Sequence, residues 1–278
     1  MRQPKELSPG HAFFVYSVLT YAISWGFWLV WARTTFLVLV DTALFVLGAS
    51  GSFFAALVLV WLEGRGIRAW LGSVLRVRVD ARYYALALVL PVVIVVVAAT
   101  VHVWAFDGRL TPELLPGSGE YPIILLYVLL FGGGQEEPGW RGYMLPRLQE
   151  EYSALTAALA IGLVWALWHL PLFFLPGTIQ SELTLWLYVP QVVALSVVLT
   201  WITNAAGGSV VPGALLHAGA NTVVSYYPPG GVASAVAPLG FGLLAATAIG
   251  VSMILVLVYG PDSLAPRSRY VFSASLDR

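Results

Sequence analysis

Residues 121–148 read YPIILLYVLLFGGGQEEPGWRGYMLPRL. An apolar run is interrupted by three glycines, two adjacent carboxylates, a proline and an arginine. The flanking segments are oily enough to sit in lipid, where a charged side chain near the bilayer centre costs roughly 2.5 to 3.5 kcal/mol on insertion scales and usually faces a cavity or a partner. Glu136 and Glu137 therefore require such a cavity or partner. Pro138 cannot donate to the carbonyl of Gly134, so the helix is weakened there. Irregular backbone at membrane depth is tolerated only where protein or water satisfies it, and the stretch predicts a water-accessible pocket beside Glu136.

The rest of the chain fits that environment. Of 278 residues, 59% are hydrophobic and 10% charged, and the mean hydropathy is +0.83. Soluble domains are about 45 to 50% apolar and about 25% charged, so this is an integral membrane protein. A net charge of +0 offers no basic face for nucleic acid. With no cysteine, disulfides, CxxC chemistry and Cys-ligated zinc are excluded.

A span takes about 20 mostly apolar residues. Eight stretches qualify, near 12–32, 42–62, 83–106, 121–148, 153–175, 184–204, 211–227 and 239–260. The expected fold is all-α, one membrane-embedded domain over 1–278 whose motif-bearing core is about 121–227. The first stretch is too long for a signal-peptide core and lacks a small-residue cleavage site before Arg33, so it reads as a retained helix. Lysines and arginines set the orientation. With both termini cytoplasmic, eleven of them (Arg2, Lys5, Arg65, Arg68, Arg76, Arg78, Arg82, Arg147, Arg267, Arg269 and Arg278) fall inside, against Arg33 and Arg109 outside. Ile67, Trp70, Leu71 and Val74 recur at helical spacing among these arginines, as in an interfacial helix. Asp41 reads as the cap of the second span, and His11 and His102 as interface residues.

Three polar sites fall within predicted spans. In a helix Glu137 and Arg141 share a face, four residues apart with the acid first, the better order for an ion pair. Glu136 is turned about 100° away and stays free for chemistry. The second site is Trp165-Ala166-Leu167-Trp168-His169. The polar turn Glu150–Ser153 lies midway between 136 and 169, so an antiparallel hairpin brings Glu136 and His169 to one depth. The third is His217 with Asn221, one turn apart on one face, among small residues that permit close helix approach. A glutamate and a histidine can activate water, and a histidine and an asparagine can donate to an oxyanion. Amide hydrolysis is one reading. A proton- or ion-coupled transporter using the Glu/His cluster as a relay, and a non-catalytic immunity or assembly factor, are the others.

Glu136-Glu137-x-x-x-Arg141, Trp165-x-x-x-His169 and His217-x-x-x-Asn221 together resemble the three motifs of the CAAX protease and bacteriocin-processing (CPBP, or Abi) family of intramembrane endopeptidases. The resemblance implies an eight-helix protease of the cell membrane with a cavity open towards the cytoplasm. It implies that Glu136 and His169 activate water, that His217 and Asn221 form the oxyanion hole, and that Glu137 and Arg141 support the first motif. Trp165 stands where the family often has Phe, a change expected to affect packing more than chemistry. No HExxH motif is present. The glutamate mechanism without a cofactor is favoured; in the metalloprotease alternative Glu136, His169 and His217 are a permitted zinc set. The implied partner is a membrane-anchored or prenylated peptide, and a chain without an organelle-targeting segment fits a prokaryotic cytoplasmic membrane.

Overall fold

The computed structural model describes residues 7–33, 37–266 and 268–271. Among them there is no β-strand. The protein is an all-helical, multi-pass membrane bundle. Arg2, Lys5, Arg267 and Arg278, counted above for orientation, lie outside the described residues.

The helices are α1 (Pro9–Trp31), α2 (Val38–Ala49), α3 (Gly51–Leu62), α4 (Ile67–Val74), α5 (Ala81–Ala105) and α6 (Tyr121–Phe131). A broken segment follows, made of a 3-10 turn Gly134–Glu136, the single turn α7 (Glu137–Gly139), a π turn Trp140–Met144 and α8 (Leu145–Leu148). Next come α9 (Ala154–Trp168), α10 (Leu185–Ala205), α11 (Val211–Val223), α12 (Gly231–Val236) and α13 (Pro238–Tyr259). Asp80 caps α5 through a bond from the Arg82 amide, and Ser153 caps α9 through one from Thr156.

Among the described residues six helical stretches are long and apolar enough to cross a membrane, or seven if α2 and α3 count as one span. The sequence reading has eight, and the difference lies at 211–227. There α11 has 13 residues, about 20 Å of helix, short of the roughly 30 Å hydrocarbon core. The predicted span 42–62 is a pair bent by 56°. Its hinge is Ser50-Gly51, where a Cβ on Gly51 would run into Ser24 Oγ of α1, so glycine permits the crossing. Asp41 sits in the first turn of α2, which starts at Val38, rather than at its cap.

Large apolar side chains face outward where lipid would meet them, among them Leu39, Val96 and Leu257. The interior holds Tyr16, Trp28, Trp140, Tyr143 and Trp168, all at most 1% exposed. The predicted helix among the arginines forms as α4. Its apolar face packs on protein, with Trp70 and Val74 buried.

Hydrogen bonds tie the connections at each end of the bundle together. At one end Arg147 reaches Glu63 at 2.5 Å, Arg76 donates to the Gly207 carbonyl at 2.9 Å, Arg269 to the Gln149 carbonyl at 2.9 Å, and the Val210 amide to Val74 at 2.8 Å. At the other, the Thr111 amide donates to the Pro228 carbonyl at 3.0 Å and Tyr226 to the Gly117 carbonyl at 3.2 Å.

Candidate active site

The break after α6 places the carboxylates. Gly133 has φ +147°, in the positive-φ region that favours glycine, and here the chain leaves the helix axis. The Gly134 carbonyl, deprived of an amide at Pro138, accepts instead from Glu137 in a 3-10 turn. Pro146 likewise removes the donor that would bond the Gly142 carbonyl, and the Trp70 indole supplies one at 3.0 Å. The irregular backbone is also held from outside. Asn221 Nδ2 donates to the Gly132 carbonyl at 2.8 Å, and Ser52 Oγ to the Glu136 carbonyl at 3.1 Å. The loosening expected between Gly132 and Pro138 is present, and α3 and α11 support it.

Glu137 and Arg141, both fully buried, pair at 3.4 Å. Glu137 Oε1 also accepts from His217 Nδ1 at 2.8 Å, a contact across 80 positions of sequence that helical spacing does not reveal. Because an ionised carboxylate oxygen only accepts, the Nδ1 proton is fixed on the Glu137 side and Nε2 turns away from it. Buried polar pairs of this kind hold a ring in one orientation.

Glu136 takes a different partner. Trp165 Nε1 donates to Glu136 Oε2 at 2.8 Å. The departure expected to affect mainly packing therefore touches the carboxylate itself, since phenylalanine has no N–H to offer. The Trp165 ring also meets His217 edge-on at 5.0 Å, and Arg141 lies over it at 5.1 Å. One turn later His169 Nδ1 bonds the Trp165 carbonyl at 2.9 Å. A carbonyl only accepts, so Nδ1 carries the proton and Nε2 bears the lone pair. No hydrogen bond joins Glu136 and His169 directly.

Glu136, His169, His217 and Asn221 line one cavity of about 600 Å³, and the structure thus gathers all three predicted polar sites. Trp165, Trp168 and Tyr188 form much of its wall near the carboxylate. Beyond them it runs past Trp31, Asp41, Gln180 and Val224, the end of the bundle opposite Arg65, Arg76 and Arg147. Among the described residues no three His, Asp or Glu side chains are arranged to hold a metal ion. Glu136, His169 and His217 share the cavity without forming that ligand set.

Residues 118–223, which contain Glu136, Glu137, Arg141, Trp165, His169, His217 and Asn221, match the family model of the Rce1-like type II CAAX prenyl endopeptidases. The match supports the CPBP family for this segment. The chain is also similar to CAAX prenyl protease 2 of Methanococcus maripaludis, 30% identical over 99 residues, which cover 34% of this chain and 36% of the archaeal protein. The matched segment begins just before α6 and ends with α11. The helices that close the cavity from outside it, α1, α2 and α13, lie beyond the match.

Proposed function

We propose that the protein is an intramembrane endopeptidase that hydrolyses a peptide bond in a membrane-anchored or prenylated substrate, using a water activated by Glu136 and His169. The observation that carries this reading is that Glu136 and His169, whose Nδ1 proton goes to the Trp165 carbonyl, line one cavity together with His217 and Asn221. Water gives its proton to this pair as its oxygen bonds the scissile carbonyl carbon. The oxyanion takes donors from Asn221, which has one amide hydrogen beyond that given to Gly132, and from His217 Nε2 when the Glu137–His217 pair holds an extra proton. Collapse breaks the C–N bond, the proton passes to the leaving amine, and a carboxylate and an amine remain. Arg141 holds Glu137 in place. A cavity that does not reach the arginine end supports hydrolysis over passage through the bundle.

The test uses purified protein in lipid with prenylated and unprenylated membrane-anchored peptides. Removing a general base lowers rates by about 10²- to 10⁴-fold, which is the loss expected for Glu136→Gln and for His169→Ala. Undiminished cleavage by either variant overturns the assignment. Wild-type cleavage should survive strong chelators, with no metal found by elemental analysis. Loss on chelation, restored by zinc, would favour the metal alternative.

A further inference from the structure

Residues 63–82, which join α3 to α5, carry five arginines and two acids. The helices on either side are apolar enough to lie in a membrane, so this connection sits where lipid headgroups begin. The acids account for two of the arginines: Arg65 pairs with Glu63 at 3.3 Å and Arg82 with Asp80 at 3.2 Å. Arg76 donates to the Ala206 and Gly207 carbonyls at 3.3 and 2.9 Å. Arg68 and Arg78 remain. Both are exposed, and neither side chain has a partner among the described residues.

Large apolar side chains are exposed beside them. Trp61 and Leu62 end α3, and Leu75 and Val77 alternate with Arg76 and Arg78 in the extended stretch after α4. A free anion would satisfy the guanidiniums and leave these side chains in water. A phospholipid suits both, because its phosphate pairs with arginine while its acyl chains take up apolar residues at the interface. The unbalanced positive charge favours anionic headgroups over zwitterionic ones.

The same segment touches the candidate site on two sides. Trp70 of α4 donates to the Gly142 carbonyl at 3.0 Å, one residue beyond Arg141. The Val74 carbonyl accepts from the Val210 amide at 2.8 Å, and the Arg76 carbonyl from Ser209 Oγ at 2.6 Å. These contacts lie at the start of α11, which carries His217 and Asn221. A Cβ on Gly142 would stand 3.1 Å from Val74 and 3.4 Å from Val210, so α4, the π turn and the start of α11 pack without slack.

We propose that Arg68 and Arg78 bind the headgroup phosphates of anionic phospholipids, and that this contact holds α4 against Gly142 and Val210 and so steadies the site. The lipid contact stands apart from the endopeptidase reading; its effect on turnover rests on that reading.

The test uses the full-length protein in nanodiscs of phosphatidylcholine with increasing phosphatidylglycerol. Retained lipid is counted by native mass spectrometry, alongside Tm and cleavage of a membrane-anchored peptide. Wild type should retain phosphatidylglycerol in preference to phosphatidylcholine, melt higher with it and cleave faster. A basic residue near an anionic surface contributes about fivefold in affinity, so the double variant Arg68→Gln, Arg78→Gln should bind phosphatidylglycerol about 30-fold more weakly. It should lose the gains in Tm and turnover while matching wild type in phosphatidylcholine alone. Arg33→Gln with Arg109→Gln removes the same charge at the opposite end and should behave as wild type. Equal retention by the two double variants overturns the proposal, and so does equal protection of wild type by inorganic phosphate, which would assign the arginines to a soluble anion. If phosphatidylglycerol binds through Arg68 and Arg78 but turnover ignores it, the link from α4 to the site is wrong. If retention and Tm follow expectation but no lipid supports cleavage, the endopeptidase reading fails and the lipid contact stands.

Discussion

Trp165 donates its indole N–H to Glu136 Oε2 at 2.8 Å while its own carbonyl accepts from His169 Nδ1 at 2.9 Å. One residue thus orients both members of the proposed base. Trp165→Phe keeps the ring beside His217 and removes only the indole donor. A hydrogen bond to a charged group contributes about 1.5 to 3 kcal/mol, so turnover should fall about 10- to 100-fold, mostly in kcat. His169 should stay in place, because its partner is backbone. Steady-state kinetics on a cleavable membrane peptide checks this, and unchanged kcat would show that the bond plays no part in catalysis.

Glu137 joins Arg141 to His217, and its variants should separate folding from chemistry. In Glu137→Ala the fully buried Arg141 loses its carboxylate, and breaking a buried pair by removing one partner costs about 3 to 5 kcal/mol. A marked drop in Tm in detergent is expected. Glu137→Gln retains an acceptor for His217 Nδ1 but removes the carboxylate charge behind the ring. That variant should fold better than Glu137→Ala and still cleave at least about tenfold more slowly, a loss of about 1.4 kcal/mol. Full activity in Glu137→Gln would mean that His217 needs no charge behind it.

Gly133 lies against the proposed oxyanion hole. A Cβ there would stand 2.8 Å from His217 Nε2 and 2.9 Å from Asn221 Nδ2, at φ +147°. Strained backbone of this kind costs about 1 to 3 kcal/mol, and the added methyl also displaces the two side chains that would receive the oxyanion. Gly133→Ala should therefore lose more activity than its Tm shift explains. Paired measurements of Tm and turnover check this, and a variant that melts lower but cleaves normally would place the oxyanion elsewhere.

These residues also mark how far the sequence could be read. Hydropathy shows the helices because lipid demands long apolar runs, and the four-residue spacing of Glu137 and Arg141 shows their pairing because helix geometry is local. His217 on Glu137, Trp165 on Glu136 and Gly133 against Asn221 depend on how α6, α9 and α11 meet, which no spacing within one helix records. The short α11 was hidden for another reason. Its apolar run continues through Val223 and Val224, but the chain turns into a 3-10 segment before Pro228, and hydropathy cannot distinguish a turn from a further helical turn. Trp165 left one usable signal, a polar N–H in a predicted span within reach of an unpaired carboxylate.

The arginine end provides a contrast within the same fold. Glu63, only 5% exposed at its side chain, receives Arg147 at 2.5 Å, Tyr143 at 2.8 Å and Arg65 at 3.3 Å, yet neither Glu63 nor Arg147 lines the cavity. Glu63→Gln takes the short carboxylate contact from the nearly buried Arg147 and leaves the longer one to Glu150 at 3.7 Å, so a loss smaller than that for Glu137→Ala, at most about 3 kcal/mol, is expected. The difference must appear in kinetics. At a temperature where Glu63→Gln remains folded, its kcat and KM should match wild type, because Glu136, His169 and His217 keep their partners. Thermal melting alongside kinetics measures both quantities. A kcat defect in folded Glu63→Gln would show that the arginine end is coupled to the site through the π turn Trp140–Met144, which lies between Arg147 and Glu137.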